Sequence, residues 1–283
     1  MARPDRERLR AAFGIGRPGG AGTGAGGLRA FLRRRSLAFA PAARGEVALP
    51  AGEEVEGPDG RFWRRILRYP ETYRHGALDL GRARACDPER LRPVRGELPG
   101  FVLERCSFLD TETTGLSGGA GTVVFNCGIG WFEPGGFVLE QTFLRSFDEE
   151  RAMLRHVEWR IRQRPILVTY VGKSFDRHRL AARMAVHRIS DRAVLAETHL
   201  DLYFLARRAF GRDLPDCRLR TVERERLGFE RTDDLPGSEA PAAFLDWIRD
   251  RTGPVDRVLE HNRLDVLSLA VLLALLGAPD LPR

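Results

Sequence analysis

The order of hydrophobic patterns after residue 100 constrains the fold of this 283-residue chain more than any other feature. The patterns run, in order, as strands at 101–109, 122–131 and 137–144, a helix at 148–163, a strand at 166–171, a helix at 174–188, a strand at 199–202, and helices at about 218–227, 239–251 and 255–277. The Glu-Pro-Gly-Gly segment at 133–136 predicts a hairpin between the second and third strands. Three strands in hairpin order, followed by alternating helices and strands, predict an α/β fold with a mixed central sheet flanked by helices.

Charge separates a leader from the rest of the chain. The net charge is +7, and the surplus lies in residues 1–44, which hold ten arginines and two acidic residues. Eight glycines fall within residues 14–27. This composition predicts a disordered basic leader over 1–44, which either binds polyanions weakly or simply keeps the chain solvated. Residues 45–98 are predicted to be a partly ordered extension with a strand or hairpin at 61–73, and residues 99–283 to be the main domain.

Cysteine and hydropathy patterns indicate the cellular setting. The four cysteines form no CxxC pair and no cluster with histidine, which argues against a zinc site. Free cysteines suit a reducing compartment, and the N-terminus lacks the apolar core of a secretory signal. No uncharged apolar run reaches the roughly 18 residues of a membrane span. We therefore expect a cytoplasmic protein with no membrane partner.

Two acidic residues, Asp110 and Glu112, stand at the end of the first predicted strand. Residues two apart on a strand share a face, so the two carboxylates are expected to project side by side. Adjacent carboxylates in a core strand repel each other and are costly to bury unless a cation lies between them. Oxygen ligands of this kind favour Mg²⁺ or Mn²⁺. The alternative is a pair of exposed carboxylates at a strand end.

Two further acidic residues lie on predicted helices, one at the start of a helix and one on the inward face of the last helix. Asp176 follows Lys173 at the start of the helix after the buried strand. His261 and Asp265 are four residues apart on the last helix, so they lie on one face, which its apolar neighbours direct inward. Taken singly, each segment is also compatible with an ordinary ion pair. The Gly-Lys-Ser of residues 172–174 is not a P-loop, because position 167, where that loop needs glycine, is leucine.

Taken together, these segments resemble the DEDD exonucleases of ribonuclease H-like fold, and in particular the YprB-type ribonuclease H-like family. The stretches that carry the resemblance are FLDTETTGL (108–116), GGAGT (118–122), GKSFD (172–176) and LEHNRLDVLSL (259–269), with further similarity from LGFER (227–231) through PGSE (236–239). The resemblance covers about 101–277, most of the chain. Each motif is short, but their combination is specific.

The resemblance implies a metal-dependent nuclease. It would be a 3′–5′ exonuclease that hydrolyses phosphodiester bonds of DNA or RNA from a single-stranded end with two Mg²⁺ or Mn²⁺ ions. The implied metal ligands are Asp110, Glu112, Asp176 and Asp265. His261 would orient or deprotonate the attacking water. The implied substrate contacts are Thr113, Leu116 and Lys173, although for Lys173 a surface ion pair is the alternative.

One departure from the family pattern bears on activity. The wider superfamily usually carries asparagine five residues before the third acidic residue, and this chain has Val171 there. The competing interpretation is therefore a non-catalytic nucleic-acid-binding module that has kept the ribonuclease H-like fold. Four retained carboxylates favour catalysis, because like charges beside a phosphate give a pure binding module no advantage.

Overall fold

The computed structural model describes residues 46–92, 100–115, 121–172, 175–196 and 198–279. The predicted disordered leader at 1–44 lies outside these residues. The described residues from Val47 onward form one compact unit.

A mixed sheet of seven strands forms the centre of this unit. The described residues form nine strands: β1 (Glu53–Gly57), β2 (Gly60–Pro70), β3 (Arg74–His75), β4 (Leu78–Asp79), β5 (Cys106–Thr113), β6 (Val124–Glu133), β7 (Gly136–Phe143), β8 (Ile166–Thr169) and β9 (His199–Asp201). The sheet order is β1-β2-β7-β6-β5-β8-β9, while β3 and β4 pair separately. β8 is parallel to both β5 and β9, and the other neighbours in the sheet are antiparallel. The predicted mixed sheet is confirmed.

Helices cover both faces of this sheet. Those in the described residues are α1 (Glu150–Gln163), α2 (Asp176–Val186), α3 (Leu202–Phe210), α4 (Leu219–Val222), α5 (Ala240–Asp250) and α6 (Val255–Leu276), with a π-helical turn at Glu223–Leu227 and 3₁₀ turns at Leu80–Ala85, Pro88–Leu91, Leu103–Arg105 and Phe147–Glu149. Leu154 and Leu180 of α1 and α2 pack on one face of the sheet with Leu109 of β5. Leu269 of α6 packs on the other face with Phe108.

Several predicted boundaries were wrong. The strand expected at 101–109 starts at Cys106, after a 3₁₀ turn, and continues to Thr113, so the acidic pair lies inside the strand. The strand expected at 166–171 ends at Thr169, and the helix expected at 174–188 starts at Asp176. Helix α3 was not predicted, because its nine residues follow the short strand β9 without a break and Asp201, the last residue of β9, caps it.

The long helix α6 is buried along most of its length. Fifteen of its 22 residues are buried, because it packs on the sheet and is covered in turn by neighbouring elements. Tertiary packing therefore stabilises this helix more than an amphipathic pattern does. Among the described residues, no helix combines the length and the apolar character needed to cross a membrane.

The N-terminal extension adds two strands to the main sheet. β2 pairs antiparallel with β7 over eight residues, from Trp63 opposite Phe143 to Pro70 opposite Gly136. β1 then pairs with β2 and forms the sheet edge. The extension therefore shares backbone hydrogen bonds with the strands that carry the main domain.

An ion cluster beneath α1 ties this extension to the sheet. Glu140 of β7 is 1% exposed and accepts hydrogen bonds from His156 at 2.6 Å, Arg160 at 2.7 Å and Arg64 of β2 at 3.3 Å. Burial alone would raise the pKa of Glu140, but the hydrogen bond and charge of His156, together with Arg160, lower it to about 2. The carboxylate is thus held in its charged form at neutral pH.

Replacing Glu140 with glutamine is expected to lower the free energy of unfolding by about 3 kcal/mol at pH 7, because Arg64 and Arg160 would keep their charges without the buried anion. A depressed carboxyl pKa stabilises the folded state above the unfolded value of 4.5, and this contribution is lost as the pH falls toward 2. The difference between wild type and variant should therefore shrink from pH 7 toward pH 3. Urea unfolding at several pH values measures it.

Glu53→Gln is the matched control for that experiment. Glu53 pairs with the same Arg64 at 2.8 Å but is exposed. Its loss should cost less than about 1 kcal/mol. Equal losses in the two variants would contradict a special role for the buried cluster.

Candidate active site

Strand β5 places two carboxylates at one end of the sheet. Asp110 and Glu112 lie opposite Gly128 and Asn126 of β6, and the register shifts directly after Glu112. Glu112 is buried, with 8% of its surface exposed, and Asp110 is partly buried. The alternation of strand residues directs both carboxylates to the same side of the sheet, as the sequence predicts.

Helix α2 brings Asp176 to the same end of the sheet. Asp176 is the first residue of α2, which follows the neighbouring parallel strand β8. The hydroxyl of Thr111, between the two acidic residues of β5, donates a hydrogen bond to Asp176 Oδ1 at 2.5 Å. This contact links the two elements directly, and the sequence patterns did not indicate it.

The turn between β8 and α2 contains a strained residue. Val171 has φ of 60°, in the left-handed region that β-branched residues rarely adopt. Its amide donates to Asp201 Oδ1 at 2.8 Å, and the same oxygen accepts from the amide of Tyr203. The next residue, Gly172, has no room for a side chain, since an added Cβ would lie 2.3 Å from Thr169 Oγ1. The turn that precedes Asp176 is thus tightly constrained.

Val171→Asn is expected to raise the free energy of unfolding by about 1 kcal/mol, because asparagine tolerates the left-handed conformation better than a β-branched residue. Thermal or urea unfolding measures the change. Val171→Ile, which keeps the branched Cβ, should bring no gain. A less stable asparagine variant would show that packing of the valine side chain outweighs the backbone strain.

Helix α6 contributes His261 and Asp265 from one face. The Nε2 atom of His261 lies 3.8 Å from Asp265 Oδ2 and 4.0 Å from Glu112 Oε1. Its Nδ1 atom donates to Asp234 Oδ1 at 2.7 Å. The helix spacing predicted the proximity of His261 and Asp265, whereas Asp234 was not anticipated.

A buried arginine also enters the cluster. Arg231, with 3% of its side chain exposed, donates to Asp265 Oδ1 and binds Glu223 through two hydrogen bonds of 2.5 and 2.8 Å. Arg231 lies in a family-like stretch of the sequence, to which no role was assigned. Its position within that stretch was the only signal, and Glu223 had none.

A hydrogen-bond chain extends this cluster to the N-terminal extension. Ser268 of α6 donates to Glu223, and Nε2 of His75 in β3 lies 2.7 Å from the Ser268 hydroxyl. Burial, together with the charge of Arg231, lowers the pKa of His75 to about 3, so its imidazole is neutral. These hydrogen bonds therefore connect the N-terminal extension to the carboxylate cluster without adding a charge.

Asn262 contacts the first carboxylate from the other side. This fully buried residue follows His261 on α6, and its amide donates to Asp110 Oδ2 at 2.7 Å and to the Asp110 carbonyl at 3.1 Å. Gly128 makes the approach possible, because a Cβ there would lie 2.3 Å from Asn262 Oδ1. Asn262 is part of a family-like motif, yet no sequence pattern indicated its partner.

Three carboxylates of the cluster resist ionisation. Burial raises the pKa of Asp110 well above its usual range, and Asp265, Glu112 and Asp176 raise it further by repulsion. Burial likewise raises the pKa of Glu112 to about 8 and that of Asp176 to about 6. Such a crowd of buried and partly buried carboxylates favours a cation that would compensate its charge.

The same acidic side chains determine the charge state of His261. Burial disfavours its charged form, but Asp265, the hydrogen bond to Asp234 and the charge of Glu112 outweigh it and raise the pKa of His261 to about 10. In this arrangement the ring is an imidazolium, which cannot accept a proton. The base role expected from the sequence therefore requires other positive charge near the carboxylates.

The donor set suits a hard divalent cation. Carboxylate oxygens are the ligands that Mg²⁺ and Mn²⁺ prefer, and repulsion from neighbouring acidic side chains contributes to the raised pKa of Asp110, Glu112 and Asp176. In the parts of the chain that the structure describes, no three His, Cys, Asp or Glu side chains already meet at one point as ligands would. Asp265, in particular, is paired with Arg231.

The three predicted substrate contacts are differently placed. Thr113 ends β5, and its hydroxyl donates to the carbonyl of Gly115 at 3.1 Å. Leu116 and Lys173 lie outside the described residues. Thr113 is therefore adjacent to the acidic pair, with its hydroxyl engaged in the local turn.

A mixed sheet with helices on both faces and acidic residues near the ends of its central strands is the architecture expected of a ribonuclease H-like α/β protein. A family model described as RNase_H superfamily matches residues 107–277. The chain belongs to this superfamily, and the predicted fold class and YprB-type relationship are both confirmed. As a class, RNase H-like nucleases generally use divalent metals.

Proteins similar to this chain include one curated relative and one solved structure. The uncharacterized protein YprB of Bacillus subtilis (strain 168) is 34% identical over 214 residues, which cover 72% of this chain. This chain spans about half the length of that relative, 50% of it being matched. Among solved structures, the family B DNA polymerase from the hyperthermophilic archaeon Pyrobaculum calidifontis superposes with a TM-score of 0.46 and 16% identity over 77% of this chain and 32% of the polymerase chain.

Proposed function

We propose that this protein is a metal-dependent nuclease that hydrolyses phosphodiester bonds of DNA or RNA, as a 3′–5′ exonuclease. One observation carries the proposal. Asp110, Glu112, Asp176 and Asp265 crowd together at one end of a ribonuclease H-like sheet, and burial and repulsion raise the pKa of the first three. Crowding and burying like charges costs free energy, and bound cations would offset that cost by compensating the negative charge.

The four carboxylates are the proposed metal ligands. Two bound Mg²⁺ or Mn²⁺ ions would supply an activated water and offset the charge on the scissile phosphate and leaving oxygen. Thr111 fixes Asp176 through its hydroxyl, and Asn262 fixes Asp110 through its amide. Asp265 is held by Arg231, which limits its rotation and keeps one of its oxygens paired.

His261 is proposed to orient the attacking water and to take its proton. Its Nδ1–H donates to Asp234, which directs Nε2 toward Asp265 and Glu112. A carboxylate partner of this kind fixes both the ring orientation and the nitrogen that carries the proton. Added positive charge at the carboxylates would lower the pKa of His261 and free Nε2 to act as an acceptor.

The nucleic-acid substrate is proposed to enter the site beside the ends of β5 and β8. Thr113 directly follows Glu112, and Lys173 lies three residues before Asp176, so both belong to segments that lead to the carboxylates. Leu116 follows Thr113 by three residues in the sequence. These three are the proposed contacts to the terminal nucleotides.

Digestion of end-labelled oligonucleotides tests the function. Single- and double-stranded DNA and RNA, labelled at either end, are incubated with Mg²⁺, Mn²⁺ or EDTA. A 3′–5′ exonuclease gives a ladder from 5′-labelled strands and releases a labelled mononucleotide at once from 3′-labelled ones, only when a divalent ion is present. Binding without cleavage under all conditions would contradict the proposal and favour the non-catalytic module.

A further inference from the structure

We propose that Gln141 and Asn262 are positioning residues for Asp110, and that a one-way chain of hydrogen bonds starting at Arg65 in the N-terminal extension fixes their amide groups. The inference rests on the proposed function, because it assigns these residues a purpose in presenting Asp110 to a divalent ion. The juxtaposition that carries it spans four elements: β2, β7, α6 and β5.

Every link of the chain runs in the same direction. Arg65 Nε donates to Gln141 Oε1 at 2.7 Å, and Gln141 Nε2 donates to Asn262 Oδ1 at 2.6 Å. Asn262 Nδ2 then donates to Asp110 Oδ2 at 2.7 Å. In each amide group the oxygen accepts a hydrogen bond from the preceding residue. The amide nitrogen is therefore the atom that faces the next residue and donates to it.

The direction of the chain is imposed at its start. A guanidinium has donors and no acceptor, so Arg65 can only face the oxygen of Gln141. The nitrogen of Gln141 is then held by two acceptors, Asn262 Oδ1 and the Leu259 carbonyl at 2.8 Å. Asn262 must in turn present its nitrogen to Asp110.

Burial makes the wrong orientation of these amides costly. Gln141 and Asn262 are both fully buried, so no solvent can replace a lost partner. A flipped Asn262 would place its oxygen against the Asp110 carboxylate, which repels it. Gly128 leaves the amide close against β6, where an added Cβ would collide with it. The chain therefore holds one rotamer of Asp110, as partners of metal-ligating carboxylates commonly do.

Gln141→Glu reverses the chain with almost no change in shape. The new carboxylate still accepts from Arg65 and gains an ion pair with it, but it has no hydrogen to donate to Asn262. Asn262 is then expected to turn its nitrogen toward residue 141 and its oxygen toward Asp110. We expect the dissociation constant for Mn²⁺, measured by isothermal titration calorimetry, to rise about 10- to 100-fold. Turnover at fixed Mn²⁺ should fall and recover at higher Mn²⁺.

Thr142→Val is the matched control. Thr142 is the next residue on β7, is buried, and donates to the Cys127 carbonyl on the other side of the strand. Its Mn²⁺ affinity should equal that of the wild type. An equal loss in both variants would mean that β7 is merely disturbed, and it would overturn the proposal.

Asn262→Leu keeps the test decisive if Gln141→Glu does not fold. Leucine has a similar shape and offers no donor to Asp110, so the same 10- to 100-fold loss of Mn²⁺ affinity is expected. Mn²⁺ binding equal to that of the wild type in either folded variant would overturn the inference.

Calorimetry also separates this inference from the proposed function. Wild-type protein that binds Mn²⁺ tightly but cleaves no nucleic acid would refute the nuclease proposal, and the comparison of Mn²⁺ affinities would still test the chain. If the wild-type protein cleaves nucleic acid and the Gln141→Glu variant has unchanged Mn²⁺ affinity, only the proposed role of the hydrogen-bond chain is refuted.

Discussion

An Asp110→Ala variant is expected to lose cleavage by about 1000-fold or more while remaining folded. Metal-ion stabilisation is worth several kcal/mol, and each 1.36 kcal/mol corresponds to a tenfold change in rate. Asp110 is the carboxylate that contacts Asn262 and is repelled by Asp265, Glu112 and Asp176. Single-turnover digestion of a 5′-labelled strand at saturating Mn²⁺ measures the loss.

The same substitution should stabilise the metal-free protein. A carboxyl group whose pKa is raised in the folded state binds more protons there than in the unfolded chain, so its contribution to stability falls as the pH rises above its unfolded value. Removing Asp110 removes this penalty, and the advantage of the variant should grow from pH 4 toward pH 8 in EDTA. Urea unfolding over that range tests the sign.

Asp59→Ala serves as the control for Asp110. Asp59 binds Arg151 and Arg155 at 2.6 and 2.8 Å and belongs to no part of the carboxylate cluster. It should retain wild-type turnover. An Asp110→Ala variant that keeps more than a tenth of wild-type cleavage would refute the assignment of Asp110.

A His261→Ala variant is expected to lower turnover by roughly 10²- to 10⁴-fold, the usual contribution of a general base. The Nε2 atom of His261 faces Glu112 and Asp265 at 4.0 and 3.8 Å, a placement suited to a water between them and the ring. The wild-type pH–rate profile should show an acidic limb that the variant lacks, because imidazolium cannot accept a proton. Rates over pH 5–9 at saturating Mn²⁺ measure both effects.

Metal affinity distinguishes the possible roles of His261. If His261 is a general base, its removal should leave the Mn²⁺ affinity nearly unchanged. If it is a metal ligand, its removal should lower that affinity. Turnover within threefold of the wild type, with the same pH profile, would rule out the base role. His178→Ala, which removes an exposed histidine of α2, should behave like the wild type.

Local periodicity predicted the mixed α/β sheet and two residue pairings within the proposed site, whereas the ribonuclease H-like fold and the full ligand set were implied by the family resemblance. Period-two alternation on β5 placed Asp110 and Glu112 on one side, and helical spacing placed His261 beside Asp265. Both patterns depend only on neighbouring residues. The mixed sheet followed in the same way, from the order of strand and helix patterns.

The partners of those residues were decided by tertiary structure alone. Gln141 meets Asn262 across 121 positions of sequence, and Asn262 meets Asp110 across 152. The contact between Arg231 and Asp265 likewise joins a segment without periodic structure to α6. Periodicity determines which face of an element a residue occupies, but the packing of distant elements determines what that face meets. The sequence therefore specified the acidic residues themselves, and the fold specified the amides and the guanidinium that hold them.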